Sequence, residues 1–328
     1  MKVLITGAGG FIGSHLVDSQ LAQMVDVRAV DLHLDLLKHH EGHPRLESVQ
    51  GDITDANLVK RLVADVDIIY HLASAHLDVS LSDEHYRQVN VGATQLLLTA
   101  AREVGVKRFV HCSSVGVIGD VDHPPADERS ECRPTNIYER TKLEGERAAL
   151  AFAHETGFPV VVVRPAWVYG TRCPRTAKLV RMVSKGTFLF FGGGKNLRHP
   201  VYIDDAVKGL ELSACTEGVN GEVFIIAGER AVTTSELVQT ISEVKGARKP
   251  RLRVPMVLGL AGGYLMETAF KILGKRPPFS RRSVDFFLKH NAYDIGKAKR
   301  MLGYQPQVDL RTGLQKTIQG FTAAKGTD

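Results

Sequence analysis

Short apolar runs alternate with segments of helical periodicity through the first half of this 328-residue chain. Residues 2–6 form an apolar, β-branched run, residues 11–24 repeat apolar side chains near helical spacing, and residues 25–31 form a second apolar run that ends on an acid. The pattern continues with predicted strands at 46–51, 67–71, 108–113 and 159–164, and with predicted helices at 55–64, 84–105 and 136–155. Such alternation predicts an α/β fold built on a doubly wound parallel sheet with right-handed crossovers.

The regular alternation of predicted strands and helices ends after Gly170. Residues 172–195 are basic and glycine-rich, residues 201–215 predict a short strand and a helix, and residues 222–227 predict one more strand. Asp55 and Thr233 or Thr234 are candidate N-caps, the latter pair for a helix that continues to Val244. We therefore predict two domains: a parallel-sheet domain of residues 1–170, completed by about 201–228, and a smaller C-terminal substrate-binding domain of residues 171–200 and 229–328.

The segment 254–273 is the most apolar stretch of the chain, but Glu267 and Lys271 interrupt it. Its uninterrupted core is too short to cross a bilayer, so we predict a buried helix and no transmembrane segment. The basic cluster that follows leaves a peripheral membrane contact as the alternative; it consists of Lys275, Arg276, Arg281 and Arg282.

Composition and charge restrict the partners of the chain. The formal charge of +6 is small and no basic block is interleaved with aromatic residues, which argues against nucleic acid. The four cysteines lack any C-x-x-C pair, so we expect free thiols in a reducing compartment rather than disulfides or a metal site. The N-terminal apolar run is too short for a signal peptide, and we expect a cytoplasmic protein.

A glycine turn from Gly7 to Gly13 joins the first predicted strand to the first predicted helix. Gly7 allows a tight turn, Gly10 lets the backbone approach a pyrophosphate, and Gly13 lets the helix pack closely on the sheet. The helix N-terminus offers N–H groups to phosphates. Asp31 follows the second strand, where a carboxylate bonds ribose hydroxyls and repels a 2′-phosphate. This arrangement predicts a Rossmann dinucleotide site that prefers NAD to NADP.

A phenol and an ammonium lie four residues apart on one predicted helix, at Tyr138 and Lys142. A fixed lysine and a positive nicotinamide both favour the phenolate, which brings the pKa of tyrosine toward the neutral range. Tyr138 could then remove a proton from a substrate hydroxyl while hydride leaves the same carbon. Ser113 and Ser114 end a predicted strand, and such a hydroxyl can bond the substrate oxygen that Tyr138 deprotonates.

Taken together, these motifs resemble the extended short-chain dehydrogenases/reductases, the NAD-dependent epimerase/dehydratase family. The matching motifs run nearly end to end; they are Thr6-Gly7-x-x-Gly10-x-x-Gly13, Asp31, Gly51-Asp52-Ile53, His71-Leu72-Ala73, Val89-Asn90-Val91-Gly92, Ser113-Ser114 with Gly119, Tyr138-x-x-x-Lys142, Arg164-Pro165, Val168-Tyr169-Gly170, Arg198, Asp204-Asp205 and Leu302-Gly303-Tyr304-x-Pro306.

The resemblance implies roles for individual residues. Asp52 and Ile53 would flank the adenine, Ala73 would line the cofactor channel, and Lys142 would also bond the nicotinamide ribose. Measured back from Gly119, Ser114 aligns with the catalytic serine of the family. The predicted catalytic residues are thus Tyr138, Lys142 and Ser114, and the predicted cofactor-binding residues are Gly7, Gly10, Phe11, Ile12, Gly13, Asp31, Asp52, Ile53, Leu72, Ala73, Tyr138, Lys142 and Arg164.

One departure from the family pattern narrows the expected chemistry. Sugar-nucleotide 4,6-dehydratases of the family carry an acid pair just after the catalytic hydroxyl, where this chain has Val115, Gly116 and Val117. Dehydration is therefore not expected, and neither is the decarboxylation that uses a glutamate there. Simple hydride transfer remains, as does epimerisation, in which the hydride returns to the opposite face.

The predicted substrate is a nucleotide sugar. Arg198 matches the family arginine that grips a nucleotide diphosphate, and a planar guanidinium suits that task. Further candidates for an anionic pocket are Arg172, Arg175, Arg281 and Arg282; the predicted substrate-binding residues are Ser114, Trp167, Arg198 and Arg282.

Other interpretations remain open at this stage. Trp167 replaces an asparagine usual in the sugar-nucleotide members, and it offers a flat apolar surface. The alternative is therefore a 3β-hydroxysteroid or sterol dehydrogenase, or a ketoreductase for an apolar alcohol, which the C-terminal motif also resembles. A non-catalytic NAD-sensing protein is a further hypothesis, although the catalytic residues are intact. The family resemblance also suggests a homodimer that pairs the helices 84–105 and 136–155.

Overall fold

The structure is a computed structural model that describes residues 1–76, 81–250, 252–272 and 286–323. The strands are β1 (Lys2–Thr6), β2 (Asp26–Asp31), β3 (Leu46–Gln50), β4 (Ile68–His71), β5 (Arg108–Cys112), β6 (Val160–Pro165), β7 (Trp167–Tyr169), β8 (Phe190–Phe191), β9 (Leu197–Arg198), β10 (Pro200–Tyr202), β11 (Val223–Ile226), β12 (Val232–Thr233) and β13 (Arg253–Val254).

The helices are α1 (Phe11–Ala22), α2 (Ala56–Leu62), α3 (Asp83–Arg87), α4 (Ala93–Glu103), α5 (Ile137–Thr156), α6 (Pro174–Ser184), α7 (Ile203–Cys215), α8 (Thr234–Lys245), α9 (Met256–Ile272), α10 (Gly296–Leu302) and α11 (Leu310–Ala323). Single helical turns of other types lie at Asp35–His40, Gln88–Gly92 and Val115–Ile118.

The central element is a seven-stranded parallel sheet in the order β11-β6-β5-β4-β1-β2-β3. The chain winds outward in one direction from β1 to β3 and then crosses back to β4, so the topology reverses between β1 and β4. In doubly wound sheets the ligand crevice opens at this reversal, beyond the carboxyl ends of the strands. The predicted doubly wound parallel sheet is confirmed.

The central strands of the sheet are buried on both faces. Because successive side chains of a strand point to opposite sides, Val3 and Ile5 enter one hydrophobic cluster and Leu4 enters the other. Every residue of β6 is buried. Burial on both faces explains why these strands have continuous apolar sequences instead of an alternating pattern.

The predicted N-caps are confirmed. Asp55 Oδ1 accepts hydrogen bonds from the N–H groups of Asn57 at 2.8 Å and Leu58 at 3.3 Å, and Thr233 Oγ1 accepts one from Glu236 N at 3.0 Å. These bonds satisfy N–H groups that have no partner within their own helices. The helices α2 and α8 therefore begin where the sequence predicts.

One helix prediction was wrong, and one helix was not predicted. The segment 84–105 is not one regular helix, because a π-helical turn at Gln88–Gly92 separates α3 from α4. The extra residue of that turn places Asn90 in the interior, where its side chain is fully hydrogen-bonded. The loosely patterned segment 172–195 contains α6, which begins at Pro174 and buries Val180 and Val183 under a basic outer face.

The prediction of a buried helix at 254–273 was also wrong. A helix does form there, but Val257 is 74% exposed and Tyr264 is 58% exposed. Within the described ranges, none of the helices combines the length and the apolar composition that crossing a bilayer requires. The helix α9 therefore lies on the surface with large apolar side chains in solvent.

We expect Gly13→Ala to destabilise the protein by more than about 1 kcal/mol. A Cβ at position 13 would overlap the carbonyl oxygen of Gly7 and lie 2.8 Å from the Cα of Ala8, both of which belong to the backbone. Gly262→Ala is the matched control, because nothing lies within 4 Å of its Cβ position. Removing that helical glycine should stabilise by about 0.5–1 kcal/mol. Urea unfolding followed by circular dichroism measures both changes, and equal effects of the two substitutions would contradict the packing argument.

Candidate active site

The glycine turn closes against the end of β4 on one side and is open on the other. Gly7 has φ +71°, and a Cβ there would lie 2.6 Å from Ala73 N. A Cβ on Gly10 would make one tight contact, at 3.1 Å from Gly7 O, and would meet no other atom within 4 Å. The helix α1 begins here with no side-chain cap and no acid in its first turn. Its positive end is therefore left for an anion, which fits a pyrophosphate.

The carboxylate of Asp31 is hydrogen-bonded to the glycine turn. Its Oδ2 accepts a hydrogen bond from Gly9 N at 3.0 Å, and its Oδ1 accepts a weaker one from His33 N at 3.3 Å. The acid at the end of β2 is thus tied to the phosphate-binding turn across the ends of neighbouring strands. We therefore expect a substitution of Asp31 to disturb the turn, and its role toward a ribose stays a prediction.

The other predicted cofactor-binding residues differ in their contacts with the glycine turn and in their exposure. Leu72 N donates to Thr6 O at 3.1 Å and Ala73 N donates to Thr6 Oγ1 at 3.2 Å, which places both residues beside the glycine turn. Phe11 and Ile12 are half-buried at the start of α1. Two further residues follow β3; Asp52 is exposed and Ile53 is buried in a hydrophobic cluster.

Tyr138 lies at the second position of α5, whose start is fixed by polar contacts. Asn136 Oδ1 accepts from Glu139 N at 3.0 Å, and Glu139 Oε2 accepts from Thr135 N at 2.7 Å. These reciprocal hydrogen bonds fix the residue at which α5 begins, and therefore the position of the Tyr138 side chain along the helix axis. The ring of Tyr138 meets the ring of His76 edge to face, with centroids 4.5 Å apart.

Burial raises the pKa of Tyr138 to about 12, while a hydrogen bond with the Ser114 side chain and the positive charge of Arg175 lower it. Ser114 Oγ also accepts from Gly116 N at 3.0 Å, which fixes its rotamer. The phenol is therefore protonated at neutral pH in the protein without cofactor. Any additional positive charge beside it would favour the phenolate.

Lys142 lies one helical turn after Tyr138 and is buried. Its Nζ donates to the carbonyl oxygen of Cys112 at 2.5 Å, at the end of β5. Burial lowers the pKa of the ammonium, and the negative charge of Glu146 opposes that shift. The short bond to a backbone carbonyl fixes the ammonium at the carboxyl end of the central strands.

A chain of buried hydrogen bonds links the glycine-turn strand to the catalytic helix. Thr6 Oγ1 bonds His71 Nδ1 at 2.8 Å, His71 Nε2 bonds Thr94 Oγ1 at 2.9 Å, and Thr94 Oγ1 donates to Asn90 O at 2.9 Å. Asn90 Nδ2 then donates to Thr141 Oγ1 at 2.9 Å. Because Thr94 gives its only proton to Asn90, His71 carries its own proton on Nε2. Burial lowers the pKa of His71 to about 3, so its ring is neutral.

Ser113 and Arg164 meet on the other side of α5. Ser113 Oγ donates to Glu146 Oε2 at 2.6 Å, and Arg164 Nε donates to the same oxygen at 3.0 Å. All three side chains are buried. Ser114 is thus the serine beside the phenol, whereas Ser113 and Arg164 are held by a carboxylate. The cofactor-binding role of Arg164 stays a prediction.

Of the remaining predicted substrate residues, Arg198 lies on β9 and Trp167 lies on β7. The Arg198 guanidinium stacks over the Phe286 ring at 4.4 Å, its Nε has no hydrogen-bond partner among the described residues, and burial lowers its pKa to about 10. Trp167 is half-buried and stacks on Tyr169, with centroids 6.0 Å apart. Arg282, like Arg281, lies outside the described residues.

The two remaining arginine candidates differ in position. The positive charge of Arg175 acts on both Tyr138 and Arg198, which places it near the catalytic phenol. Arg172 instead pairs with Asp18 on α1, with Nη1 2.8 Å from the carboxylate. Only Arg175 therefore adds positive charge to the region of Arg198 and Tyr138.

The sequence predictions missed Glu146 and His76. The spacing of Glu146, four residues after Lys142, was a usable signal, because it puts a carboxylate on the same buried helix face. His76 follows a strand end in an irregular segment, and no local pattern marks it. Its position over Tyr138 depends on the tertiary fold.

Comparisons with known proteins agree with this geometry. A family model described as "NAD dependent epimerase/dehydratase family" matches residues 3–227. The chain is 32% identical to the 3β-hydroxysteroid dehydrogenase/Δ5→4-isomerase of Mycobacterium tuberculosis, over 98% of this chain and 90% of that protein.

Two solved structures share the fold. One is the UDP-glucose 4-epimerase of Thermotoga maritima with UDP-glucose, with a TM-score of 0.81 and 26% identity over 99% of this chain and 100% of the other. The second is the dTDP-glucose 4,6-dehydratase DesIV of Streptomyces venezuelae with NAD and TYD bound, with a TM-score of 0.80 and 29% identity over 100% and 98% of the two chains.

We expect Glu146→Gln to destabilise the protein by about 3–5 kcal/mol, because it removes one partner of a buried ion pair and leaves the Arg164 charge uncompensated. Glu236→Gln is the matched control, since the pair of Glu236 with Arg230 is largely exposed. That substitution should change stability by less than about 1 kcal/mol. The midpoints of urea unfolding measure both. Equal, small effects would show that the buried pair contributes no more than a surface pair.

Proposed function

Because the chain belongs to the NAD-dependent epimerase/dehydratase family, we propose that Tyr138 exchanges the proton in a hydride transfer at a ring secondary alcohol or ketone of a nucleotide sugar. The family resemblance predicted from the sequence motifs is confirmed by the family match and by the relatives. The protein is therefore an NAD-dependent oxidoreductase of this family, and the prediction of NAD as the cofactor is confirmed.

The residues around the glycine turn fit a dinucleotide. We assign the pyrophosphate to the open side of Gly10 and the start of α1, and the adenosine ribose to Asp31. Lys142 would hold the nicotinamide ribose from the carboxyl end of β5. When bound there, the nicotinamide supplies the hydride acceptor and donor, with its positive charge in the oxidised form.

Tyr138 carries the proton, and Ser114 and Lys142 assist it. In the oxidation direction the Tyr138 phenolate removes the hydroxyl proton of the substrate, and the C–H electron pair leaves as hydride. Ser114 donates a hydrogen bond to the same substrate oxygen, and Lys142 stabilises the phenolate by its charge. In the reverse direction Tyr138 returns the proton to the carbonyl oxygen.

The turn after Ser114 argues against a dehydratase. Val115 and Val117 are buried and Gly116 has no side chain, so no carboxylate follows Ser114 on this turn. Removing water needs a group that takes a proton from carbon and another that protonates the leaving hydroxyl. Hydride transfer or epimerisation needs neither.

The observation that carries the nucleotide-sugar proposal is Arg198. A guanidinium that loses part of its hydration is costly unless an anion accompanies it, and the half-buried Arg198 forms no ion pair with a carboxylate among the described residues. Arg175 adds a second positive charge nearby. Two cations that form no ion pair within the described part of the chain fit a diphosphate. The structural neighbour that binds UDP-glucose supports the same class of substrate.

Trp167 favours the alternative, a 3β-hydroxysteroid or sterol dehydrogenase. Its half-buried ring stacks on Tyr169 and offers a flat apolar surface. The relative from Mycobacterium tuberculosis is named for such an activity. A fused-ring alcohol would use this surface but would leave Arg198 without an anion.

We also propose the domain division, assembly and location that the sequence suggests. The division is 1–170 with 201–228 against 171–200 with 229–328. A homodimer through the α3–α4 segment and α5 is supported only by the family resemblance, and light scattering tests it. The four cysteines are free thiols, which supports the cytoplasm as the location.

The substrate class can be tested with purified protein, added NAD, and a panel of UDP-, GDP- and dTDP-sugars and 3β-hydroxysterols. We expect a nucleotide sugar to isomerise without net NADH. Tyr138→Phe should lower turnover by about 10²–10⁴-fold, whereas Tyr264→Phe, on the exposed face of α9, should leave it unchanged. Isomer analysis and absorbance at the NADH band are the measurements.

Other outcomes of the panel separate the two proposals. NADH that accumulates with a sterol and not with a sugar would replace the nucleotide-sugar assignment by the dehydrogenase. Arg198→Met should then leave the KM for the sterol unchanged, whereas it should raise the KM for a nucleotide sugar at least tenfold. Unchanged turnover in Tyr138→Phe would overturn both proposals.

Ser114→Ala should move the pH profile of kcat/KM for alcohol oxidation to higher pH. The Ser114 hydrogen bond lowers the pKa of Tyr138, so its loss raises that pKa and reduces the phenolate fraction at neutral pH. If the acid dissociation constant of the Tyr138 phenol falls tenfold, the phenolate fraction and therefore kcat/KM at neutral pH fall about tenfold. Ser113→Ala is the control, because Ser113 bonds Glu146, and its profile should not move. A changed profile in Ser113→Ala alone would reverse the assignment of the two serines.

A further inference from the structure

The outer face of α9 is apolar. Val257, Leu260, Ala261 and Tyr264 recur at helical spacing on this face and all are exposed, as is Leu258 beside them. A surface helix of a water-soluble domain normally turns its polar side chains outward. Here the pattern is inverted, because the side toward the protein contains Gly259, which is buried against the ring of Phe191.

The helix is firmly attached to the protein through its first turns. β13 pairs with β8 immediately before α9, and a Cβ on Gly259 would overlap the ring of Phe191. Arg253 Nη1 donates to Gly193 O at 3.0 Å, and its guanidinium lies 5.7 Å from the centre of the Phe190 ring. The apolar face is therefore presented by a fixed element, next to the aromatic cluster that includes Phe287.

The surrounding sequence carries the positive charge of the whole chain. Residues 246–285 contain nine lysines and arginines and two acids, a net charge of +7, whereas the complete chain has +6. The rest of the protein is therefore slightly negative. Among the described residues of this segment, Arg248, Lys249 and Arg253 are exposed before the helix. An apolar face bordered by cations is complementary to a lipid surface with anionic headgroups.

We propose that α9 docks on an anionic membrane surface. The helix lies in the interfacial plane with Val257, Leu260 and Tyr264 among the acyl chains and the basic residues at the phosphates. A second copy of this chain fits the same face less well, since a symmetric contact would bring two segments of +7 together. Docking on a membrane requires no particular substrate, so this proposal and the proposed function are tested independently.

The test is co-sedimentation of the full chain with vesicles of phosphatidylcholine and phosphatidylglycerol at about 3:1, and with vesicles of phosphatidylcholine alone. We expect binding to the mixed vesicles that weakens at about 0.5 M salt and is much lower without the anionic lipid. Val257→Glu should reduce the partition coefficient at least tenfold, and Val257→Glu/Tyr264→Glu should abolish binding.

Val104→Glu is the matched control, because Val104 is also an exposed valine, 51% accessible, but lies at the end of α4 in the sheet domain. It adds the same charge and should bind vesicles like the unchanged protein. Unfolding midpoints show that all variants are folded. Three results would overturn the proposal: no vesicle binding by the unchanged protein, equal losses in Val104→Glu and Val257→Glu, or a dimer in light scattering that Val257→Glu dissociates.

Discussion

The position of the catalytic helix depends on the hydrogen bonds that Asn90 makes. This residue can bond the catalytic helix because the π-helical turn moves it inward, and its amide also pairs with both backbone groups of Ala75 after β4. Through Thr94 and His71 the same network reaches Thr6, at the start of the glycine turn. In a low-dielectric interior a fully satisfied network of this kind is rigid, and an unsatisfied member would be costly. The glycine turn and the helix α5 are therefore held in a fixed position relative to each other.

Most of the fold could be predicted from the pattern of apolar positions. The strands of the sheet are short, apolar and separated by helices, and Asp55 and Thr233 mark helix starts by their own side-chain chemistry. The interruption between α3 and α4 could not be predicted, because the bonds that stabilise it come from residues distant in sequence. The exposure of α9 escaped prediction for a different reason. An apolar sequence indicates that a helix is shielded from water. It does not indicate whether the rest of the protein or a different apolar phase shields it.

The candidate site was predictable where function requires a residue type at a fixed spacing. Gly7, Gly13, Tyr138 and Lys142 belong to such local motifs, and the structure brings them to the carboxyl ends of neighbouring strands. Contacts that depend on the tertiary fold were not predictable. Nothing local indicates that Arg164 pairs with Glu146, or that Arg198 stacks on an aromatic ring nearly ninety residues later in the chain.

The adjacent serines after β5 show how strictly this site depends on strand geometry. Their side chains point to opposite sides of the backbone, one toward the Tyr138 phenol and the other toward the Glu146 carboxylate. A one-residue deletion between Cys112 and Gly119 would keep a hydroxyl in the sequence yet exchange the two directions. The chain can therefore vary in length in its outer loops, but this short connection tolerates replacement of side chains more readily than any change in residue number.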